Sequence, residues 1–308
     1  MSTIKSYFSL VKFSHTIFAM PFALIGFFLG IRGLRNFNGV NIPSSLTENT
    51  FEETNAFFID KWYLFLLVLL CMITARSAAM AFNRWLDKSF DAKNPRTAIR
   101  EIPAGIISAN NALIFVIINC LVFIVCTWFI NATCFYLSPV ALFVILFYSY
   151  TKRFTPLCHL VLGLGLSLAP IGAYLAVTGS FAVLPVLFSF AVLFWVSGFD
   201  IIYALQDVEF DQSQNLYSIP AVWGKTKALN VSTLLHFLSV VMIVAAGFTG
   251  RFGWLYWAGT GVFVGMLIYQ HSIVKPNDLR RVNLAFMTAN GIASIVFAVF
   301  VLADIIMK

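Results

Sequence analysis

Two stretches of the sequence combine carboxylates and an amide at spacings that could do chemistry. In the first, Asn83, Asp87 and Asp91 follow one another at intervals of four residues, so on a helix they lie along one face. In the second, Asp207 and Asp211 repeat this spacing. Mg²⁺ prefers oxygen ligands and typically takes one or two carboxylates together with phosphate oxygens of a substrate. If the two stretches meet, they form a shared site for hard cations.

Basic and aromatic side chains near these acids extend the predicted chemistry. Arg96, Lys152 and Arg153 can bind phosphate oxygens, and arginine is suited to bidentate contacts. Metal and basic groups together stabilise the charge that develops on a departing diphosphate. If the group left behind is allylic, aromatic faces can shield its cation until an electron-rich ring attacks it. The sequence offers four tyrosines for this role: Tyr148, Tyr150, Tyr174 and Tyr203.

The composition places these motifs in a membrane protein. Of the 308 residues, 60% are hydrophobic and 11% are charged, whereas a soluble domain carries about 25% charged residues. The net charge of +7 does not indicate nucleic-acid binding, because excess Lys and Arg in membrane proteins mark cytoplasmic loops. We therefore expect an all-α, polytopic protein embedded in the lipid bilayer, with no nucleic-acid partner.

Apolar runs long enough to cross a bilayer need roughly 17 to 25 residues. The sequence contains nine candidates, at about 13–31, 62–82, 107–127, 133–150, 157–177, 183–203, 228–247, 254–272 and 283–305. Between the first two lies a polar insert at about 33–60, predicted as a loop or a small excursion on the non-cytoplasmic side. Nothing else in the composition divides the chain, so residues 1–308 are predicted to form a single transmembrane domain.

Charge bias predicts the orientation of these spans. With a cytoplasmic N-terminus, 14 of the 20 Lys and Arg fall on the cytoplasmic side and five on the other, as the positive-inside rule requires. Both acidic motifs then lie on the cytoplasmic face, after the second and sixth spans. A single such motif could also be solvated surface charge. Two motifs on one face of the membrane favour a shared metal site instead.

Two further charged residues have alternative interpretations. Arg76 lies one or two turns inside the second span, where a charge is costly and usually functional. The alternative is that its head group snorkels to the membrane interface. Asp200 lies seven residues before Asp207 and therefore on the same helical face, where it either extends the site or pairs with a nearby base.

Long segments around the acidic motifs are similar to a known family. The first motif reads N-R-x-x-D-x-x-x-D-x-x-N-P-R-T from Asn83, and the second reads Y-A-L-Q-D-V-E-F-D from Tyr203. Two more segments are similar to the same family, namely H-T-I-F-A-M-P-F-A from His15 and Y-S-Y-T-K-R-F-T from Tyr148. On these residues the chain resembles the UbiA superfamily of intramembrane aromatic prenyltransferases.

The resemblance implies a bundle of nine transmembrane helices around a central cavity that the two motif loops cap. It also implies Mg²⁺-dependent transfer of a polyprenyl group from a polyprenyl diphosphate to an aromatic acceptor. By motif matching, the residues that bind metal and diphosphate are Asn83, Asp87, Asp91, Asp207 and Asp211. Arg96 and Lys152 match diphosphate-contacting positions, and Tyr148–Tyr150 matches the region where the family shields the cation. We add Arg76, Arg153 and Tyr203 as candidate substrate-binding residues.

The acceptor is predicted only from the sequence after the first motif. The continuation R-T-x-x-R-E-I-P-A-G from Arg96 looks most like the branch that prenylates 4-hydroxybenzoate in quinone biosynthesis. The same chemistry on a dihydroxynaphthoate for menaquinone stays open, as does another acceptor such as haem or a lipid glycerol phosphate.

An ion-coupled transporter is the alternative from another class of protein. However, the acids cluster on one face, and the sequence shows no inverted repeat of the kind that transporters often carry. We therefore expect an enzyme in the inner (cytoplasmic) membrane whose active site faces the cytoplasm. The sequence does not predict the prenyl chain length, the oligomeric state, the general base or the role of the insert.

Overall fold

Helices make up almost all of the computed structural model, which describes residues 3–11, 18–37 and 50–307. A 3₁₀ turn, Leu205–Asp207, links α8 to α9, and a π-helical turn, Leu284–Ala289, leads into α13. The helices are α1 (Thr3–Leu10), α2 (Met20–Phe37), α3 (Thr50–Leu86), α4 (Lys88–Lys93), α5 (Ala109–Ile130), α6 (Ala132–Thr151), α7 (Cys158–Thr178), α8 (Val183–Ala204), α9 (Val208–Ser213), α10 (Ile219–Trp223), α11 (Lys225–Thr249), α12 (Trp254–Ile273) and α13 (Asn290–Met307).

The long helices coincide with the predicted spans. Within the described ranges, seven helical segments are long and apolar enough to cross a membrane. The remaining predicted spans, about 13–31 and 254–272, fall on α2 and α12. Residues 12–17 lie outside the described residues, and with them the start of the H-T-I-F-A-M-P-F-A segment. The predicted all-α membrane fold is therefore confirmed.

The polar insert predicted at about 33–60 is helical at both ends. α2 continues into it and α3 begins within it, whereas the sequence predicted a loop or a small excursion; residues 38–49 lie outside the described part. Aromatic packing explains the difference at the second end. The rings of Phe57 and Phe58 lie 5.9 and 6.1 Å from the ring of Phe27 on α2, so this part of α3 packs against its neighbour.

The helices approach most closely where glycine removes a side chain. A Cβ atom on Gly26 of α2 would overlap the carbonyl of Pro170 on α7, and one on Gly163 of α7 would overlap the carbonyl of Leu193 on α8. α7 is therefore held tightly between α2 and α8. Beside this contact lies an aromatic core whose fully buried members include Phe22, Phe188, Trp195, Tyr256 and Phe297.

One end of the bundle collects the segments that carry the motifs. α3 ends at the first motif, and Asp87, with φ −90° and ψ 7°, forms the corner before α4. α8 passes through the 3₁₀ turn into the second motif. Lys152 follows α6, and its carbonyl accepts a hydrogen bond of 2.7 Å from the backbone N–H of Tyr217. Because α3, α6 and α8 all end here, both motifs share one face of the bundle.

Candidate active site

The corner carboxylate of the first motif is surrounded by donors. Asp87 is 3% exposed. Its Oδ1 accepts a hydrogen bond from Arg153 Nη2 at 2.7 Å, and its Oδ2 lies 3.2 Å from Lys152 Nζ. Asn83 Nδ2 donates to the same Oδ2 at 3.3 Å. Three of the residues predicted from the sequence therefore contact a fourth, Asp87, and two bases neutralise a carboxylate that has been removed from water.

The second carboxylate of this motif has a base of its own. Asp91 is buried, and Arg100 Nη1 lies 2.9 Å from each of its carboxylate oxygens. The loop that follows folds back on α4, since Thr97 Oγ1 donates to the Asp91 carbonyl at 3.0 Å and the Arg96 N–H donates to Asn94 Oδ1 at 2.9 Å. This fold-back places Arg96 opposite the second motif.

Arg96 joins the two motifs. Its Nη2 lies 2.6 Å from Asp207 Oδ2 and 2.8 Å from Oδ1, and its Nε donates to Oδ1 at 3.1 Å. Its Nη1 donates to the hydroxyl of Tyr203 at 3.0 Å. Burial lowers the pKa of the Arg96 guanidinium, but the charge of Asp207 and these hydrogen bonds raise it further, so the pKa lies above its ordinary value. The charged pair therefore persists at neutral pH.

The last carboxylate is held by the start of α10. Asp211 is 8% exposed, and its Oδ2 accepts a hydrogen bond of 3.0 Å from Ser218 Oγ. Ser218 is the N-cap of α10, and its Oγ accepts a hydrogen bond of 3.3 Å from the Ala221 N–H. The segment Tyr217–Ser218 thereby ties the second motif to the residue after α6.

These side chains line one polar cavity of about 280 Å³. The predicted residues in its lining are Arg76, Asn83, Asp87, Asp91, Arg96, Tyr148, Lys152, Tyr203, Asp207 and Asp211. Arg153 is not part of that lining and reaches the site through Asp87. Tyr150 also lies outside it, 40% exposed, with its ring 5.9 Å from Phe82. Tyr174 is buried in the aromatic core instead.

An apolar cavity of about 350 Å³ continues from the polar one. It lies between α3, α5, α6 and α7, and the two cavities share Arg76, Met80, Tyr148, Leu162 and Leu166 in their linings. The fold therefore offers a charged compartment at the end of the bundle and, next to it, an apolar compartment among the helices, with five lining residues in common.

Arg76 stands at the junction of these compartments. Among the described residues, its Nε has no hydrogen-bond partner and its guanidinium forms no salt bridge. The Nε atom is buried, so the side chain does not simply deliver its charge to the membrane interface. Because an unpaired charge in this setting is costly, the observation favours the functional interpretation of Arg76, in which the partner is an anion from outside the protein.

Comparison with known proteins agrees with this architecture. The profile of the UbiA prenyltransferase family matches residues 56–292. The chain belongs to the UbiA prenyltransferase family. The resemblance predicted from the motifs is thereby confirmed, and the protein is an integral membrane enzyme of the prenyltransferase class.

Two curated UbiA relatives carry the same name. A 4-hydroxybenzoate octaprenyltransferase from Tolumonas auensis is 29% identical over 245 residues, which cover 80% of this chain and 85% of the relative. Another from Nitrosospira multiformis is 29% identical over 237 residues, which cover 77% and 81%.

Two solved structures share the fold over nearly their whole length. The apo structure of a UbiA homolog from Aeropyrum pernix K1 superimposes with a TM-score of 0.72 at 28% identity, covering 95% of this chain and 97% of that one. A UbiA homolog from Archaeoglobus fulgidus bound to DMAPP and Mg²⁺ superimposes with a TM-score of 0.70 at 19% identity, covering 97% and 99%.

The structure adds residues to this UbiA site that the sequence did not single out. His159 Nδ1 lies 2.7 Å from Asp200 Oδ2, and both residues line the polar cavity. Asp200 therefore extends the lining and also pairs with a base, so both alternatives for it hold. Arg84 lines the cavity as well and is paired with Glu101 beneath it. Both residues of that second pair lie in quoted segments, Arg84 in N-R-x-x-D and Glu101 in R-E-I-P-A-G, but nothing in the sequence paired them.

Proposed function

We propose that this protein transfers a polyprenyl group from its diphosphate to an aromatic acid, most directly 4-hydroxybenzoate, in quinone biosynthesis. The observation that carries this proposal is the adjacency of the two cavities, which share five lining residues, one lined by paired acidic motifs and bases and the other apolar. A polyprenyl diphosphate has the same division into a charged head and an apolar tail. The relatives named 4-hydroxybenzoate octaprenyltransferase support the choice of acceptor.

Mg²⁺ is the cofactor that the donor set fits. Asn83, Asp87, Asp91, Asp207 and Asp211 present only oxygen among their candidate ligand atoms, which suits this metal. In the described part of the chain, no three His, Cys, Asp or Glu are grouped so as to hold a metal by themselves. This agrees with a cation that takes many of its ligands from water and substrate phosphates. When bound, the metal supplies Lewis-acid stabilisation of the leaving diphosphate.

The basic residues of the site can pair either with the motif carboxylates or with the diphosphate of the substrate. Without substrate, each of Asp87, Asp91 and Asp207 is paired with at least one Lys or Arg, which offsets the cost of burying the carboxylates. When the diphosphate enters, Arg96 and Lys152 can donate to its oxygens. These charge-assisted hydrogen bonds strengthen as the carbon–oxygen bond breaks and its electron pair moves to the diphosphate.

Arg76 is the proposed anchor for the acceptor. A guanidinium binds a carboxylate in a bidentate manner, and an aromatic acid brings the anion that Arg76 lacks within the described protein. Tyr148 lines both cavities together with Arg76, and its ring is the proposed aromatic face for the reacting carbon. The arrangement favours acceptors that carry a carboxylate, a property that 4-hydroxybenzoate and the dihydroxynaphthoates share.

The proposed location is the inner (cytoplasmic) membrane, with the N-terminus and the active site towards the cytoplasm. Its support is the bias of 14 of the 20 Lys and Arg to that side, combined with the meeting of both motifs at one end of the bundle. A site at this face would receive both the aromatic acid and Mg²⁺ from the cytoplasm.

The test is an assay on membranes that contain the protein, supplied with a polyprenyl diphosphate and Mg²⁺. 4-Hydroxybenzoate and dihydroxynaphthoates are offered in parallel, and mass spectrometry identifies the product. We expect prenylated 4-hydroxybenzoate, its formation lost on chelation and in Asp87→Ala and Asp207→Ala variants. A prenylated naphthoate would keep the mechanism and change the acceptor. No product with any acceptor, from folded protein, would contradict the proposal, and donor-independent ion flux in liposomes would favour a transporter.

A further inference from the structure

The last transmembrane segment opens with a π-helical turn, Leu284–Ala289. Such turns are rare, and they frequently occur at functional sites. Here the turn has its own support. Asn290 is fully buried, and its Nδ2 donates to the carbonyls of Ala285 and Phe286, both at 3.1 Å. A buried amide that satisfies carbonyls within the widened turn stabilises the π-helical geometry at this position.

The same amide fixes the turn to α8. Asn290 Oδ1 accepts a hydrogen bond of 3.0 Å from Trp195 Nε1, and neither side chain is exposed. Both ends of the Asn290 amide are therefore satisfied in an apolar core, where an unpaired polar group is costly. Since α8 leads directly into the second acidic motif, this bond sets how the π-helical turn faces the active site.

The turn brings Phe286 to the wall of the polar cavity. Its ring centroid lies 4.3 Å from that of Tyr203, 5.4 Å from Phe199 and 5.3 Å from Phe18. All four rings line the cavity, and we call them the aromatic wall. Arg96 lies over the Tyr203 ring at 5.6 Å while it holds Asp207. The aromatic wall is thus continuous with the contact that joins the two motifs.

We propose that the π-helical turn controls the fate of the ionised prenyl group, because it places Phe286 in an aromatic wall that stabilises the allylic cation and excludes water. This inference rests on the proposed function. Ionisation breaks the bond between the allylic carbon and the diphosphate oxygen, and the electron pair leaves with the diphosphate. The allylic carbon then bonds to a ring carbon of the acceptor, which loses a proton. In the competing reaction, a water oxygen bonds to the allylic carbon and a proton is lost, so that a prenol forms.

An aromatic face is suited to this task. It attracts a cation through its quadrupole, yet it offers no lone pair that would capture the cation. The rings of Phe18, Phe199 and Phe286 carry no polar group that could hold a water molecule beside the carbon, and the Tyr203 hydroxyl is engaged by Arg96. The wall therefore slows the competing reaction without entering the productive one.

The experiment measures diphosphate, prenylated acceptor and prenol in the same reaction, using the full chain in lipid nanodiscs with a polyprenyl diphosphate, Mg²⁺ and 4-hydroxybenzoate. We expect Phe286→Leu and Asn290→Leu to raise the ratio of prenol to prenylated product by about three- to thirtyfold. Phe286→Tyr keeps the ring and should stay near the wild-type ratio. Val299→Leu, at a 60% exposed position of α13, is the matched control. Prenol and prenylated product both form from the same ionised prenyl group, so their ratio does not depend on how much of the protein is folded.

Three outcomes would overturn the inference. An unchanged ratio in Phe286→Leu, with a lower rate of diphosphate release, would assign Phe286 a structural role alone. A shift in Phe286→Tyr as large as that in Phe286→Leu would exclude the aromatic face as the cause. A shift of the product ratio in Phe286→Leu without one in Asn290→Leu would show that Phe286 does not depend on the π-helical turn for its role. Failure of the proposed function looks different, because the wild-type protein would then form no prenylated 4-hydroxybenzoate, whether or not diphosphate is released.

Discussion

Arg96 and Asp207 form a bidentate ion pair between segments that lie 111 residues apart in the chain, with Arg96 Nη2 at 2.6 Å from Asp207 Oδ2 and 2.8 Å from Oδ1. Each partner has a second proposed task, the carboxylate as a metal ligand and the guanidinium as a diphosphate-binding group. The pair couples the two motifs directly, so under this proposal substrate binding has to exchange its contacts.

Replacing Arg96 by lysine tests the value of the bidentate geometry. A lysine keeps the charge but cannot reproduce the fork, so we expect kcat/KM for the prenyl donor to fall about 10- to 100-fold. The melting temperature should change little, because the pair is partly exposed and such pairs add little stability. Arg280→Lys is the control, since Arg280 pairs with Asp278 at the surface. Equal losses in both variants would argue against a special role for Arg96.

The same substitution gives a prediction for alkaline pH. Burial lowers the pKa of Arg96, but Asp207 and Tyr203 raise it further, to a net value above the ordinary one. A raised pKa means that the contribution of the pair is complete below the ordinary pKa and is lost only as pH rises through the higher value in the folded protein. Lysine has a lower ordinary pKa than arginine, so Arg96→Lys should move the alkaline loss of kcat/KM to lower pH than in the wild type. Identical alkaline limbs in the two pH–rate profiles would contradict this prediction.

Arg76→Met tests the acceptor anchor. The variant removes the guanidinium from the junction of the two cavities and keeps most of the apolar stem. We expect KM for 4-hydroxybenzoate to rise about 10- to 100-fold, as for a lost charge-assisted contact, while KM for the prenyl donor changes little. Steady-state kinetics with each substrate varied in turn separates the two effects. If the donor KM rises and the acceptor KM does not, Arg76 belongs to the diphosphate site.

The buried pair of Arg84 and Glu101 is predicted to make the fold sensitive to the loss of either partner alone. Arg84 is 3% exposed and Glu101 8% exposed, and Ser9 Oγ of α1 also donates to Glu101. Glu101→Gln leaves a buried guanidinium without its counter-charge, which costs about 3–5 kcal/mol. We expect a clear fall in melting temperature, largely reversed in the Arg84→Met/Glu101→Met double variant. Ser9→Ala, which keeps the ion pair, should have a much smaller effect, and additive losses in the double variant would exclude the pairing.

Much of this site could be predicted because its parts are local in sequence. The spacing of Asp87 and Asp91 follows from helix geometry, and the bias of basic residues placed both motifs on one face. Helix geometry also explains the position of Tyr150. Successive residues of an α-helix are rotated by about 100°, so Tyr148 and Tyr150 point in directions about 200° apart. Only Tyr148 lines the cavity.

The contacts that could not be predicted join distant segments. Nothing in the sequence indicates that His159 on α7 reaches Asp200 on α8, because that contact depends on how the two helices pack. The position of Phe286 could not be predicted for a different reason. A π-helical turn inserts an extra residue per turn, so the side chains before it are rotated relative to a regular helix. Extrapolating the 3.6-residue period along the last span therefore misplaces Phe286.

Filling the apolar cavity tests whether it holds the prenyl tail. Gly172 of α7 lines this cavity, and a Cβ placed on it would meet no atom within 4 Å. A side chain at this position can therefore enter the cavity without a clash at its Cβ. We expect Gly172→Leu to lower kcat/KM several-fold for long polyprenyl donors, while a dimethylallyl donor, whose tail is too short to reach far into the cavity, reacts as in the wild type.

Gly261→Leu is the matched control for this experiment. Gly261 lies on α12 with equally open surroundings and lines neither cavity. Both substitutions remove a helix-interior glycine, which adds up to about 1 kcal/mol of helix stability in each case, so a change of stability alone would affect both variants. A loss confined to Gly172→Leu and to long donors requires that the tail occupies the space between α3, α5, α6 and α7. Equal loss for short and long donors would instead mean that the leucine disturbs the reacting end of the site, and the tail would have to leave the polar cavity by another route.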